Sequence, residues 1–422
     1  MSNRVRRSKP ELYMALWGAL TFGALLASYM AFRPIRDALV LGDWDRLPLL
    51  FTATLVAVTV LSPVWSTVLG RVRPRRAIPF AFHVFAICCL GFAVLVGNDV
   101  APIAVSRVFY VWSAVFNLFV ISVFWSLLAD LLGPLIAKRL YGPIAAGGTI
   151  GAIAGPALTR LLVDHIGIDG VLVLSAVLLE VAVIGVAGVR RWGEQLDRED
   201  GVPLDEPAPG GAFRGFTQVA RSPYLLAIVA YVLCTATAAT FMYLEQAAIT
   251  AAEYPNRADA AKLFASIDFW TNASTFVVQT VIAGPLLALL GPGIVLLALP
   301  LAQAIGISAL ASAPTIATLV AVQITTRTLT HGLTRPAREL LFTVVSRDDK
   351  YRAKHAIDTV GYRLGDFGSA WLHQGLKALG LGSVALVGAM LPVAGIWMGL
   401  ALFLGVGYRR RVATGAREDR PG

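Results

Sequence analysis

Three charged residues interrupt an apolar stretch near the beginning of the chain. Arg33, Arg36 and Asp37 lie within AFRPIRDALVL (31–41), which directly follows a long apolar run. An ionisable side chain in hydrocarbon is costly unless it faces a polar cavity or a partner, so its presence indicates a function. Pro34 can kink a helix at this point and turn the charges toward a cavity mouth. We therefore expect these charges to face a polar cavity.

A second group of basic residues lies in the apolar run from residue 314 to residue 345. Arg327, His331 and Arg335 recur at four-residue spacing, which predicts that they share one face of a helix. The arginine guanidinium is a planar fork of donors that matches a carboxylate or a phosphate. A basic stripe of this kind within a cavity favours an anionic solute.

Other ionisable or polar residues are scattered through the remaining apolar runs. The predicted substrate-binding residues are Arg36, Arg107, Asn117, Arg327, His331 and Arg335, and the predicted gating or coupling residues are Arg33, Asp37, Asp130, Glu245, Asp268, Arg363 and Asp366. The alternatives are interhelical ion pairs that hold the protein together and charged side chains that extend from helix ends to the membrane surface. Glu180 lies deep in an apolar run and is assigned no role.

The sequence offers no chemistry of the kind that enzymes use. No nucleophile with its base can be assembled from it, and it contains no GxxxxGK[ST] phosphate loop. Its three cysteines, Cys88, Cys89 and Cys234, lie inside apolar runs, which favours buried small hydrophobes over a metal site. We expect neither catalysis nor a cofactor.

The composition shows which solvent surrounds these residues. The chain is 57% hydrophobic and 15% charged, whereas a soluble protein has about a quarter of its residues charged. The predicted solvent is therefore lipid. Runs of about 20 apolar residues, enough to cross a bilayer as a helix, predict about twelve membrane spans: 12–41, 47–70, 77–97, 102–132, 140–163, 168–188, 223–249, 262–290, 293–311, 314–345, 355–379 and 382–408.

The basic residues lie mainly on one side of this predicted topology. They cluster before the first span and after every second one, at Arg4–Lys9, Arg71–Arg76, Lys138–Arg139, Arg190–Arg191, Arg347–Lys354 and Arg409–Arg411. Such a bias predicts that both termini are cytoplasmic. It also explains the net charge of +10 without nucleic acid. The first run is too long for a cleavable signal peptide. We expect the protein to lie in a bacterial inner (plasma) membrane, surrounded by lipid, and to be monomeric.

A hydrophilic segment rich in Pro, Gly and acids divides the chain. The predicted organisation is a six-helix bundle (1–188), a cytoplasmic linker (189–222), a second six-helix bundle (223–408) and a cytoplasmic tail (409–422). This all-α arrangement resembles the fold of major facilitator transporters, whose halves rock about a midplane site. LGRVRPRRAI (69–78) is similar to a basic loop of that fold. Gly142, Gly151, Gly155 and Pro156 are similar to its antiporter motif. The alternative is that Gly147, Gly151 and Gly155, at four-residue spacing, make a close-packing helix face.

Three segments resemble one branch of this superfamily, the ATP/ADP translocases. They are RPIRDALVL (33–41), FWSLLADLLGPLIAKRLYGPIAAGGTIGAIAGP (124–156) and SRDDKYRAKHAIDTVGYRLGDFGSAW (346–371). The resemblance implies that Arg36, Asp130 and Glu245 fill positions important for nucleotides. Asp366 stands where that family has a lysine, and the lysine expected after Glu245 is absent from EQAAITAA.

The resemblance predicts a secondary transporter that moves an anionic organic solute, such as a nucleotide or another organophosphate, by rocking of its halves. The outer gate is expected near Arg33, Arg36, Asp37 and Glu245, and the inner gate at Lys138, Arg139, Asp348 and Asp349. A proton or a counter-substrate would drive transport. The alternatives are proton-coupled efflux of a cationic or amphipathic compound and, from another class, a membrane scaffold or receptor without transport.

Overall fold

The computed structural model describes residues 9–71, 74–200, 222–345 and 362–418, and the regular structure within these ranges is helical. In hydrocarbon, a helix satisfies every backbone hydrogen bond within one segment, and the long apolar runs fold accordingly. The first part of the chain forms α1 (Lys9–Leu39), α2 (Leu47–Arg71), α3 (Pro74–Gly97), α4 (Pro102–Leu131) and α5 (Pro134–Asp200). A 3₁₀ turn, Val40–Arg46, joins α1 to α2.

The second part of the chain consists of shorter pieces. These are α6 (Pro223–Glu253), α7 (Arg257–Val277), α8 (Ala283–Ser312), α9 (Ile316–Leu329), α10 (Arg335–Leu341), α11 (Tyr362–Ala378), α12 (Ser383–Gly388) and α13 (Met390–Glu418). Two π turns, Val278–Ile282 and Thr330–Thr334, connect α7 to α8 and α9 to α10. Each therefore continues a helix with altered register rather than ending it.

Two glycines break the helices α5 and α8. Gly167 in α5 has φ 73° and Gly291 in α8 has φ 72°, a left-handed conformation that glycine adopts without steric cost. Both lie at the predicted boundaries between neighbouring spans. By length and composition, seven helical segments of the described residues could cross a membrane, three of them 53, 61 and 56 residues long. The predicted tenth and eleventh spans are not among the seven.

Two compact units can be distinguished. Unit 1 comprises Met1–Asp43, Ala53–Pro207 and Tyr254–Phe269, and unit 2 comprises Trp44–Thr52, Ala208–Glu253 and Trp270–Gly422. The beginning of α7 thus belongs to unit 1, and the beginning of α2 belongs to unit 2. The predicted bundles, 1–188 and 223–408, instead keep all of α2 in the first bundle and all of α7 in the second.

Unit 1 is built on a close contact between α1 and α5. A Cβ atom added to Gly147 or Gly151 would overlap the backbone of Ala19 or Gly23 on α1, and Gly155 lies equally close to Ala27. These contacts are those of a close-packing helix face of small residues, one of the two interpretations offered for the glycines. The contact fixes the position of α1 along α5 and thereby positions the charged end of α1.

Hydrogen bonds across the same contact secure the charged end of α1. The Thr159 hydroxyl of α5 donates to the carbonyl of Ala31 at 2.7 Å. The Ser28 hydroxyl donates to the carbonyl of Ser175 at 2.8 Å. Each satisfies a hydroxyl that would otherwise be buried without a partner. Arg33 and Arg36 therefore project from a rigid part of the helix.

Unit 2 packs around aromatic side chains of α6 and α13, which lie against α8. Tyr231 and Trp397 meet edge to face at 5.5 Å between ring centroids, a favoured geometry for aromatic pairs. The Tyr231 hydroxyl donates to the carbonyl of Leu296 at 2.8 Å. Gly293 and Gly405 bring α8 and α13 into backbone contact. This core supports the face of α6 that carries Glu245.

Candidate functional site

The predicted gate residues of α1 form a buried charge pair. Arg36 donates from Nε and Nη2 to Oδ1 of the adjacent Asp37, at 2.9 and 2.6 Å. Their side chains are 11% and 7% exposed. The Arg36 guanidinium also lies over the ring of Tyr110 in α4, 4.9 Å from its centroid, within the range of a cation–π interaction. The Arg36 guanidinium is thus neutralised by a carboxylate of its own helix and stacked on an aromatic ring of a neighbouring helix.

Arg33 reaches a residue distant in sequence. Its Nη1 atom donates to Oδ1 of Asp268 at 3.2 Å, and the two side chains are 22% and 3% exposed. Both residues belong to unit 1, because the beginning of α7 does. Two residues predicted to act in gating are therefore direct partners.

Two more ion pairs tie the beginning of α7 into unit 1. Arg257 contacts Asp99 at 3.4 Å, and Lys262 pairs with Asp164 of α5. With Arg33–Asp268 they form a group that we call the α7 clasp. The clasp attaches α7 to the 97–102 turn, to α5 and to α1, at three points along about 11 residues of helix, or about 16 Å.

Arg107, a predicted substrate-binding residue, is held by another carboxylate of unit 1. Its Nε and Nη2 atoms donate to the two carboxylate oxygens of Asp43 at 2.6 and 3.0 Å, a bidentate arrangement that favours a fixed geometry. Asp43 lies in the 3₁₀ turn after α1 and its side chain is 12% exposed. The pair fixes that turn to α4.

The remaining predicted residues of α4 lie apart from these pairs. Asn117 is half-buried in the middle of the helix, and Asp130 is exposed one residue before its end. Of the predicted inner-gate residues, Arg139 contacts Glu11 at the beginning of α1, at 3.1 Å. Asp348 and Asp349 lie outside the described residues.

In unit 2, Glu245 faces a histidine that the sequence analysis did not single out. The Nε2 atom of His373 in α11 lies 2.8 Å from Oε1 of Glu245 in α6, and both side chains are nearly inaccessible, at 3% and 2% exposure. The imidazole also stands edge-on to Phe241, 5.0 Å between centroids. Glu245 thus pairs across two helices of unit 2.

Polar contacts continue along the same helix pair. The Thr240 hydroxyl donates to Oδ1 of Asp366 at 3.3 Å, and the Ser369 hydroxyl donates to Thr237 at 2.8 Å. Arg363, three residues before Asp366, is half-buried. These contacts and Glu245–His373 form a polar seam between α6 and α11.

The basic stripe lies where α9 passes into α10. Arg327 is half-buried, and His331 and Arg335 are exposed. The prediction of one common face assumed a regular helix, but the π turn Thr330–Thr334 shifts the register between these residues. The turn is braced from the other π turn, because Gln279 Nε2 donates to the carbonyl of His331 at 2.9 Å. Irregular turns of this kind are frequent at functional sites.

Several participants were missed because nothing local marks them. His373, Asp43 and Tyr110 acquire their partners only through packing, over sequence separations of 128 residues for Glu245–His373 and 64 for Arg107–Asp43. Glu180, which received no role, lies 2.9 Å from His83 of α3 with both side chains about half exposed.

Within the described part of the chain, no group of His, Cys, Asp and Glu side chains could hold a metal ion.

The sequence of this chain is similar to those of carrier proteins. The chain is 26% identical over 336 residues to ADP,ATP carrier protein 1 of Chlamydia trachomatis serovar D, covering 70% of this chain and 62% of the relative. It is 24% identical over 326 residues to ADP,ATP carrier protein 1 of Chlamydia muridarum, covering 68% and 61%. The chain thus spans about three fifths of the length of these relatives. The resemblance to ATP/ADP translocases is confirmed.

Solved structures share the fold at low sequence identity. A bacterial homologue of the iron transporter ferroportin, in an inward-facing state, aligns with a TM-score of 0.58 and 12% identity over 95% of this chain and 99% of its own. A variant of the nucleoside transporter NupG aligns with a TM-score of 0.55 and 12% identity, over 96% and 100%. At such identities the likeness shows the fold alone, and it confirms the predicted facilitator type.

The family itself is identified by its sequence profile. The profile of the Major Facilitator Superfamily matches residues 47–347, which is more than half of the chain and extends over parts of both units. Members of the superfamily, like the relatives matched above, are membrane transporters and not enzymes. The helical architecture, the intramembrane charge and the profile agree: this chain belongs to the Major Facilitator Superfamily.

Proposed function

We propose that this protein is a secondary active transporter that moves an anionic organic solute, a nucleotide or another organophosphate, by alternating access. The observation that carries the proposal is the buried guanidinium of Arg36, 9% exposed and stacked on Tyr110. Keeping such a group inside an apolar helix bundle is costly. The relatives named ADP,ATP carrier protein and the structural neighbour named as a nucleoside transporter support a nucleotide-like cargo.

The arrangement around Arg36 suits repeated binding and release of an anion. Between solutes, Asp37 at 2.6 Å neutralises the guanidinium, so the empty site carries no uncompensated charge. A phosphate competes well for the same planar fork, because it accepts two parallel N–H bonds. An aromatic ring beside the cation also offers a surface on which a nucleobase can stack.

The cargo carries fewer negative charges than ATP. Asp366 occupies a position where the translocases have a lysine, and it accepts a hydrogen bond from Thr240. Arg327, His331 and Arg335 supply cations elsewhere in the second half. A nucleoside monophosphate or diphosphate, or a sugar phosphate, fits this smaller excess of positive charge.

Transport would open and close the charge pairs in turn. The α7 clasp and Arg107–Asp43 form the outer gate of this cycle, and Arg139–Glu11 contributes to the inner gate. Twelve spans in two bundles, with both termini in the bacterial cytoplasm, complete the proposed arrangement. A counter-substrate or a proton gradient supplies the driving force, since the sequence has no phosphate loop.

The test is a thermal-shift screen of the purified protein with ATP, ADP, AMP, a sugar phosphate and citrate. A ligand that binds only the folded state raises the apparent stability, by about 2.7 kcal/mol at 100 times its Kd. We expect a shift with ADP or the sugar phosphate, reduced in Arg36→Lys and lost in Arg36→Gln. The matched control is Arg410→Gln, which removes an exposed cation of α13. No shift with any anion, or an equal shift in Arg36→Gln, would contradict the proposal.

A further inference from the structure

The Glu245–His373 pair has features that anion binding does not explain. The two groups lie on different helices, α6 and α11, and both are almost completely buried. Oε1 of Glu245 contacts His373, whereas Oε2 is buried and has no hydrogen-bond partner within the described residues. A carboxylate oxygen left in this state carries a desolvation cost. The site therefore disfavours a net negative charge.

One added proton removes that charge. With a single proton on the imidazole, the pair has a net charge of −1. A second proton, taken from water, forms one new O–H bond on Glu245 or one new N–H bond on His373 and makes the pair neutral overall. The two groups lie on different helices, so proton binding is linked to how closely α6 and α11 are packed.

Among the residues that the structure describes, no second ionisable group contacts Glu245 or His373. The elements that contact α6 are the beginning of α2, α8, α9, α10, α11, α12 and α13. Their charged or titratable groups are Arg327 on α9, Arg335, Arg338 and Glu339 on α10, Arg363, Asp366 and Lys377 on α11, and Tyr408 and Arg409–Arg411 on α13. Asp366 contacts Thr240, Lys377 lies over the ring of Trp44 at 3.9 Å, and Arg411 lies over the ring of Tyr224. The contact that faces Glu245 is His373.

α11 is placed to pass the protonation state on to a second helix. Besides carrying His373, it contacts the beginning of α2 within unit 2, where the indole of Trp371 donates to Thr52 at 3.0 Å. Lys377 lies over Trp44, just before α2. A change in the α6–α11 contact would therefore also strain these contacts.

We propose that Glu245 and His373 form a proton-binding site, and that a proton crosses the membrane through this site in the same cycle as the solute. The inference deepens the proposed function, on which it rests, by assigning the coupling ion and the residues that hold it. Glu245→Gln mimics the protonated carboxyl group and His373→Gln keeps a hydrogen-bond donor, so both variants are built to fold. Glu253→Gln is the matched control, because Glu253 is an exposed acid at the end of the same helix.

The first experiment needs no solute. Infrared difference spectra of the purified protein are recorded between acidic and alkaline conditions spanning about pH 5 to 8, where an imidazole changes charge. We expect a pH-dependent band of the protonated pair, either a carboxylic-acid C=O band or an imidazolium ring band, in the wild type and in Glu253→Gln. The band should disappear in Glu245→Gln and change in His373→Gln. The same spectrum in Glu245→Gln as in the wild type would overturn the proposal.

The second experiment uses radiolabelled ADP in proteoliposomes with the membrane potential clamped. Counterflow tests the proposed function, and accumulation driven by a pH gradient tests the coupling. For one proton per solute, each unit of pH difference supports about tenfold accumulation. We expect Glu245→Gln to lose accumulation driven by the pH gradient, whereas the control Glu253→Gln keeps both counterflow and accumulation, as the wild type does.

The outcomes separate the two proposals. Counterflow without any effect of the pH gradient in the wild type would overturn the proton site and leave the transport of ADP intact. Gradient-driven accumulation that persists in Glu245→Gln would also overturn it. If the wild type shows no counterflow of ADP, the cargo assignment fails for this probe, and the infrared spectra still decide whether the pair binds a proton.

Discussion

In unit 1 the buried charges of Arg36 and Asp37 are neighbours on one helix, whereas in unit 2 Glu245 and His373 face each other across two helices. The first pair moves as one body with α1, so its partners stay together when helices rearrange. The second pair is separated whenever α6 and α11 part. The first can therefore remain neutral throughout a transport cycle, while the second registers a conformational change as a change in protonation.

The chemistry of the two cations reinforces this difference. Arg36 keeps its charge at every physiological pH and is further supported by the Tyr110 ring. Imidazole, by contrast, is the side chain that can exist in either charge state in the physiological pH range. A permanent cation suits recognition of an anion, and a titratable one suits coupling to a gradient. Four substitutions test this comparison, and they are taken in order of decreasing effect.

The largest effect is expected from Arg36→Ala. The substitution leaves the carboxylate of Asp37 buried without the guanidinium, which typically costs about 3–5 kcal/mol. Chemical denaturation in detergent measures the change in the free energy of unfolding. The double variant Arg36→Met with Asp37→Asn removes both charges and should recover most of the loss. If the double variant is as unstable as the single one, the pair is not the cause.

His373→Ala should have a smaller effect. Because imidazole need not carry a charge, its removal costs Glu245 a hydrogen bond rather than a full counter-ion, about 1–3 kcal/mol. Denaturation again provides the measurement, and His373→Gln, which restores a donor, should lie close to the wild type. A loss in His373→Ala as large as that in Arg36→Ala would mean that the two units neutralise charge in the same way.

Tyr110→Leu tests the second support of Arg36. Tyr110→Phe keeps the aromatic face and Tyr110→Leu removes it, so the difference between these two variants isolates the cation–π interaction, about 0.5–2 kcal/mol in favour of Phe. Both are compared by denaturation and by the thermal shift with ADP. Equal stability of the two variants would show that the ring supports Arg36 only by packing.

The smallest effect is expected from Arg257→Ala. The Arg257 and Asp99 side chains are 46% and 73% exposed, and exposed ion pairs contribute about 0–1 kcal/mol. The free energy of unfolding should change by less than about 1 kcal/mol, and added salt should reduce the difference further. A larger change would indicate that this pair of the α7 clasp is buried by the membrane or by another conformation.

Much of the fold could be predicted because helix formation in lipid is a local property. Apolar runs predicted the helices, and their boundaries at residues 163–168 and 290–293 fall at the breaks of Gly167 and Gly291. The four-residue spacing of Gly147, Gly151 and Gly155 already indicated a close-packing face. The count of twelve spans and the orientation of the termini stay predictions, as do the two predicted bundles.

The candidate site could be predicted only as a set of residues, since spacing along a helix does not specify which helix lies opposite. Arg33 and Asp268 were both selected, yet their contact spans 235 residues. Glu245 was selected and its partner His373 was not. The π turn at Thr330–Thr334 likewise changed the expected face of the basic stripe.

The sequence by itself determined that this protein lies in a membrane and buries charge there, because hydrophobic length and charge placement depend on composition along the chain. Only the tertiary structure decided how each charge is compensated. A buried ionisable group is neutralised by whichever group packing brings within hydrogen-bond distance, and that distance is set by helix contacts such as those of α1 with α5 and of α6 with α11.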